Sequence, residues 1–413
     1  MSLIGRQSIS DKQHRMFGYD IMFRDDSVDV EKATDISVSA SVLDRIMNEF
    51  GPANVVGGYN GLLKADVKFL ENDIVETIPK ETFSMMILES SLSHPRLPAI
   101  LKKRCAQGYR FGINDTAINE TNLGFVETLS PWIEVVKFDT LRTDQQWAKK
   151  GIERLHSMGK QVIASKVETV DMFAFYDSIG ADYFQGYFIK RPHIVQGEAL
   201  NPSQEQTLMI WNLLQRDADI AEIVAAFEKN HALSVLLMRF INSSFFAFKS
   251  PVVSIRQIIA LIGRRTLGNW LMLMMAAYRP GGTNHPLLLM VINRTEIMTG
   301  LLKLRQPNAS REKMDTAYLV GMLSLIHLFL NMEHREFLHK LNVSPEIEDA
   351  MFEAQGEWGE LLRITRYIEN TDYESILPFI ECYRIDTAQM DRIIATAMEK
   401  VNAFDALLQQ QEF

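Results

Sequence analysis

A chain of 413 residues, 47% of them hydrophobic, is too long for one ordinary core and predicts two domains, or one large barrel with an appendage. Its formal charge of −9 excludes general attraction to nucleic-acid backbones or anionic membranes, so neither is an expected partner. Two distant cysteines, Cys105 and Cys382, an opening MSLIGRQSIS without a signal-peptide core, and an apolar run NWLMLMMAAY about half the length of a membrane span together point to a soluble, cytoplasmic protein.

The first half alternates short β-type runs with helical patterns. MFGYDIMFR (16–24), GLLKAD (61–66), FSMMILES (83–90), RFGIND (110–115), IEVVKFD (133–139), QVIASKV (161–167) and YFQGYFI (183–189) read as strands. Amphipathic stretches such as DQQWAKKGIERLHSMGK (144–160) lie between them, that one closing on a glycine as helices often do. This alternation predicts a parallel α/β architecture, most naturally a TIM-like (β/α) barrel over residues 1–195. Arg24, Glu89, Asp115, Lys137, Asp139, Lys166, Glu168 and Gln185 each fall at or just after the end of an apolar run, where barrel enzymes keep their chemistry. The plainer reading of any one of them is that a strand stops where a polar loop begins.

The segment KRPHIVQGEALNPSQEQ (190–206) reads as a linker, and beyond it the pattern is helical only. Apolar positions at helical spacing run through 219–244, 250–278 and 315–330. Ser254 is placed to cap a helix, and Gly263 to separate two short ones. An all-α domain over 196–413 follows, of ordinary domain size.

The ordered motifs YDIMFR, MMILESS, GINDT, VVKFD, ASKVET and YFQGYFIKRP resemble those of the EAL domain, a barrel phosphodiesterase that linearises the bacterial messenger cyclic di-GMP. The stretch LMRFINSSFFAFKSPVVSIRQIIALIGRRTLGNW (237–270) resembles the HDOD domain, a relative of the HD phosphohydrolases. Together they resemble the bacterial EAL-HDOD signalling proteins over nearly the whole chain.

That resemblance implies two metal ions, a carboxylate base and cationic groups on the phosphate, since phosphodiester attack at neutral pH needs an activated water. The implied ligand positions are occupied by Asp20, one methylene shorter than the family's glutamate, by Lys64 in place of an asparagine, by Glu89, by Asn114 in place of an aspartate, and by Asp115. Ser165 stands at the general-base position, whereas Lys137, Glu168 and Gln185 match their counterparts. A lysine beside Glu89 and Asp20 would repel a divalent cation, so Lys64 is expected to act as a built-in counter-ion; the alternative is a solvated lysine. Arg24 and Gln185 are the expected nucleotide contacts if cyclic di-GMP binds, with a structural ion pair as the other role for Arg24. The loop NDTAINETN lacks the glycine-and-serine pattern of active EAL domains.

In the helical half, Ser324 and Leu325 stand where HD hydrolases carry their adjacent His-Asp pair, and His231, His327, His334 and His339 form no compelling ligand set. Phe245, Phe246 and Phe248 fit a turn and core better than a base-stacking platform, and Arg256 and Arg264-Arg265 fit structural roles. The expected function is non-catalytic signal transduction, with both domains as binding modules for other signalling proteins and cyclic di-GMP as a candidate ligand. No cofactor is expected; magnesium or manganese belongs only to the alternative of residual phosphodiesterase activity, and a metal-independent receptor is a third reading.

Overall fold

The computed structural model describes residues 2–25, 43–186, 202–230, 233–234, 237–238, 241, 252–277, 285–326, 328, 334–335, 338, 343–383 and 385–409. It divides into two compact units, Met1–Arg191 with Ile368–Tyr373, and Pro192–Tyr367 with Glu374–Phe413.

The first unit is a closed barrel of eight strands in chain order: β1 (Ser2–Ser10), β2 (Met16–Asp25), β3 (Asn60–Ala65), β4 (Phe83–Leu88), β5 (Arg110–Thr116), β6 (Val135–Asp139), β7 (Gln161–Ser165) and β8 (Tyr183–Phe184). Helices α1 (Leu97–Ala106), α2 (Glu120–Leu129), α3 (Gln145–Ser157) and α4 (Val170–Ser178) follow β4 to β7 in turn. The all-parallel expectation is corrected at one place: β1, absent from the sequence reading, runs antiparallel to both β2 and β8. Its hairpin with β2 turns at Asp11, whose carboxylate accepts from the Gln13 and Arg15 amides. Because one short turn joins them, no crossover helix announces this strand in the sequence.

Inside the barrel, Ile9, Leu62, Met86, Val135 and Ile163 form one apolar layer, each almost fully buried. Strand side chains alternate faces, so residues two positions further along point the same way. Lys64, Lys137 and Ser165 occupy that next layer on β3, β6 and β7, at the strands' C-terminal ends. The barrel closes tightly there: a Cβ at Gly186 (φ +151°) would stand 2.2 Å from the Val167 carbonyl oxygen, so only glycine fits.

The second unit is helical, built from α5 (Pro202–Gln215), α6 (Ile220–Glu228), α7 (Ile255–Ala277), α8 (His285–Arg305), α9 (Arg311–Ile326), α10 (Pro345–Phe352), α11 (Gly356–Glu369), α12 (Tyr373–Tyr383) and α13 (Thr387–Gln409). Helix α8 packs along α9 and α13, and α7 along α5, around Trp211, Phe227, Leu271, Leu288, Met298, Leu323 and Phe404. Ser254 caps α7, accepting from the Gln257 amide at 3.2 Å, and Gly263 breaks that helix with φ +80°. Both features match the sequence reading. Arg264 donates to the Ala218 carbonyl and pairs with Asp217, a structural tie between α7 and the end of α5. Arg256 is exposed; Arg265's side chain, Phe245, Phe246, Phe248, His231, His327 and His339 lie outside the described residues. Among the described residues no helix is long and apolar enough to cross a membrane.

Candidate functional site

The deepest group at the barrel mouth is Lys137, fully buried on β6. A buried ammonium persists only if paired. Its Nζ donates to Asp20 Oδ2 at 2.6 Å and lies 3.5 Å from Asp115 Oδ2. Burial by itself pushes the Lys137 pKa down, but the charges of Asp115 and Asp20 outweigh it and hold the pKa above the ordinary lysine value. Asp20 Oδ2 also accepts from Gln185 Nε2 at 2.9 Å, and the same amide nitrogen donates to Gln7 Oε1 at 2.9 Å. Gln7 faces Asp20 across the β1–β2 pairing, so the first strand supplies a site residue that the sequence reading missed along with the strand.

Asp115 is the second anion. Ser165 Oγ donates to its Oδ1 at 2.6 Å, and Asn114 Nδ2 lies 3.3 Å from its Oδ2. Burial raises its pKa, yet Lys137, Lys64, the Ser165 hydroxyl and Lys166 together hold it below the ordinary carboxylate range. Asp115 has φ +39° and Lys166 φ +57°, left-handed conformations that cost a non-glycine residue and that concentrate at functional sites. Ser165, which the resemblance sets at the general-base position, is a hydrogen-bond donor to Asp115 in this structure.

The remaining carboxylates are likewise engaged. Glu89 Oε1 accepts from Arg142 Nη2 at 2.7 Å, and its Oε2 from the Ala117 amide at 2.8 Å. Asp139 Oδ2 accepts from Lys166 Nζ at 2.6 Å, and its Oδ1 from the Leu141 amide at 2.9 Å. Lys64 is half-buried and forms no ion pair within 4 Å among the described residues; its charge acts on Asp115 from a distance. This corrects the expected contact of Lys64 with Asp20 and Glu89. Asp20 is neutralised by Lys137 and Glu89 by Arg142, a loop residue 53 positions away in sequence that the reading did not single out. Glu168 is exposed and makes no hydrogen bond or ion pair with the cluster among the described residues. Arg24 lies in β2 opposite Leu3, and its side chain lies outside the described residues.

Residues 67–192 match the EAL domain family, and residues 206–346 match the HDOD domain family. The chain is an EAL-HDOD protein. It is 24% identical over 90% of its length to the uncharacterized protein YuxH of Bacillus subtilis, covering 91% of that protein. It is 22% identical over 90% of its length to the cyclic di-GMP phosphodiesterase CdgJ of Vibrio cholerae, covering 86% of it. Among solved structures, the manganese/cyclic di-GMP complex of Klebsiella pneumoniae BlrP1 matches 45% of the chain and 55% of BlrP1 at 15% identity, with a TM-score of 0.36. The Xanthomonas citri FimX EAL domain in complex with cyclic di-GMP matches 46% of the chain and 86% of that EAL-domain chain at 15% identity, with a TM-score of 0.37.

A pair of divalent cations, which the EAL family implies at this mouth, does not fit the residues of this EAL-HDOD protein. Two such ions require on the order of a dozen oxygen ligands with carboxylates prominent among them. Here the buried oxygens left without a partner are Asp20 Oδ1, Asn114 Oδ1 and Gln185 Oε1, one from a carboxylate and two from amides. The other carboxylate oxygens face Lys137, Arg142, Lys166, hydroxyl or amide donors. Among the described residues no group of three His, Cys, Asp or Glu side chains is placed to hold a metal.

In the HDOD unit, the two residues that the resemblance sets at the His-Asp positions lie in the interior. Ser324 and Leu325 are both buried, and Ser324 Oγ accepts from Arg294 Nη1 at 2.9 Å and donates to the Gly321 carbonyl at 2.7 Å. Neither side chain is a good metal ligand. His334 stacks edge-on against Phe352 with ring centroids 5.2 Å apart, a packing role.

Proposed function

We propose that this EAL-HDOD protein is a non-catalytic, cytoplasmic signal-transduction protein linked to cyclic di-GMP, whose two domains work as binding modules for other signalling proteins. The observation that supports this most strongly is the charge arrangement of the barrel mouth: Asp20, Glu89 and Asp139 each pair with a basic side chain of the chain itself, and Asp115 lies within reach of Lys137. Divalent cations entering there would have to displace these pairs and face Lys64 as well. Chemistry lacks its base too, because the Ser165 hydroxyl, set between the Asp115 carboxylate and the Phe138 carbonyl as acceptors, holds no charge at neutral pH. Loss of a general base alone costs roughly 10²–10⁴ in rate. No resident cofactor belongs to this reading.

The link to the messenger is supported by the EAL family match and by the kinship to CdgJ over most of both chains. A second reading, a metal-independent cyclic di-GMP receptor, draws on Lys64 and on the half-exposed Arg142, two cations at the mouth that a phosphate group could recruit, with Arg24 and Gln185 as further contacts. Incubating the purified chain with cyclic di-GMP and manganese is expected to give no linear product above background. Turnover abolished by Glu89→Ala would overturn the non-catalytic reading in favour of the phosphodiesterase alternative. Labelled cyclic di-GMP that binds without turnover, and is released by Arg24→Ala, would establish the receptor.

A further inference from the structure

Helix α8 lies inside the helical unit, packed along both α9 and α13. Its Ile292, Thr295, Ile297, Met298 and Leu301 are all buried, which leaves little of its surface for charge. Glu296 is the sole acid among its 21 residues, and it is half-buried. On a helix the partners in reach stand three or four positions away, and for Glu296 these are Ile292, Asn293, Thr299 and Gly300. None is a cation. The neighbouring hydroxyls are committed elsewhere, Thr295 donating to the Ile292 carbonyl at 2.8 Å and Thr299 to the Thr295 carbonyl at 2.9 Å. Among the described residues the Glu296 carboxylate has neither a hydrogen bond nor an ion pair.

The junction around this acid is tight on both sides. A Cβ on Gly321 of α9 would stand 3.1 Å from the Thr295 Cα, and a Cβ on Gly300 of α8 would stand 2.8 Å from Ile393 Cγ2 of α13. Glu296 therefore follows the α9 crossing by one residue and precedes the α13 crossing by one turn. Among the described residues two ionisable groups are coupled to it by charge: Tyr318 on α9, whose hydroxyl is pushed up by burial and by the Glu296 carboxylate, and Lys400 on α13, whose ammonium favours that carboxylate. Burial outweighs Lys400 and holds the Glu296 carboxyl above the usual glutamate range.

We propose that Glu296 is a proton-operated switch in the packing of α8 against α9 and α13. Protonated, its side chain is neutral and the three helices close around it. Ionised, it requires water or a counter-ion, and the junction loosens to admit one. The sign follows from linkage: a carboxyl whose folded pKa lies above the unfolded value of about 4.3 contributes fully below that value, and the contribution is lost as pH rises through the folded one. Acidification thus tightens the helical unit, opposite to the effect of Asp115 in the barrel. The switch does not depend on whether the barrel is catalytic, since every residue in it belongs to the helical unit.

The test is amide hydrogen exchange of the full chain, read by mass spectrometry on peptides from α8, α9 and α13, with wild type and Glu296→Gln compared at each pH so that the intrinsic pH dependence of exchange cancels. At about pH 8 the variant, which keeps the side chain's shape without its charge, is expected to exchange roughly three- to tenfold more slowly than wild type in these helices. Toward about pH 5 the two are expected to converge, and the barrel peptides to show no difference at either pH. In a Lys400→Met background the slowing by Glu296→Gln at about pH 8 is expected to grow, because the ammonium that favours the carboxylate is gone. Equal exchange of wild type and Glu296→Gln at both pH values, the same difference at both, or a slowing that shrinks in the Lys400→Met background would overturn the switch.

Discussion

Replacing Lys137 by methionine is expected to destabilise the barrel by about 3–5 kcal/mol, the loss typical of removing one partner from a buried ion pair. Lys137 is fully buried and is the cation of both Asp20 and Asp115, so the variant leaves two carboxylates short of charge in the interior. The loss depends on pH in a defined direction. Asp115 has a depressed folded pKa, so its contribution is present above the unfolded aspartate value of about 3.9 and fades as pH falls through the lower folded value. Lys137 has a raised folded pKa, so its contribution is complete below the unfolded lysine value of about 10.4 and fades as pH rises through the folded one. Urea denaturation of wild type and Lys137→Met is therefore expected to differ most between these limits and to converge toward acid pH. Adding Asp20→Asn to the variant should restore part of the loss, because a neutral amide needs no counter-ion. A difference below about 1 kcal/mol at neutral pH would show that the pair is not buried as described.

Combining Lys64→Asn, Asn114→Asp and Arg142→Ala is expected to raise manganese affinity by about 10²–10³ over wild type. Two substitutions remove cations that are partly exposed, each worth roughly 1–2 kcal/mol against a dication after solvent screening, and the third adds a carboxylate where the buried Asn114 amide has an unpartnered oxygen. Without metal the triple variant should melt below wild type, since the carboxylate introduced at position 114 would face Asp115 in the barrel interior, and manganese should recover that loss by mass action. On the proposed non-catalytic reading, catalysis should not return with the metal alone, because Ser165 offers no carboxylate to take a proton. An unchanged manganese affinity would mean that these three positions are not what keeps the ion out.

The sequence made most of the barrel legible because seven of its strands are apolar runs that end abruptly in polar residues. Strand β1 escaped notice because its apolar Leu3, Ile4 and Ile9 are interrupted by Arg6, Gln7 and Ser8, and a tight turn rather than a crossover helix joins it to β2. With it went Gln7. The strand ends identified Lys137, Asp115 and Gln185, and the family resemblance Asp20 and Ser165; these five converge at the barrel mouth through one connected set of hydrogen bonds and ion pairs. Which cation meets which acid was not readable. Pairing across a closed barrel depends on side-chain reach between strands far apart in sequence, and Arg142 reaches Glu89 from a loop that carries no motif. The same limit explains why Lys64 looked like the counter-ion of Asp20: its position on β3 is right, but Lys137 takes up Asp20 and Lys64 does not pair with it. In the helical unit, local signals such as the Ser254 cap and the Gly263 break were plain, whereas the junction of α8, α9 and α13 around Glu296 is a tertiary feature without a sequence signature.

Calorimetric titration of the wild-type chain with manganese tests the barrel mouth directly. With Lys137, Arg142 and Lys166 already paired to its acids, no saturable heat is expected at micromolar metal. A stoichiometric micromolar site that disappears in Glu89→Ala would contradict the replacement of metal by the protein's own cations.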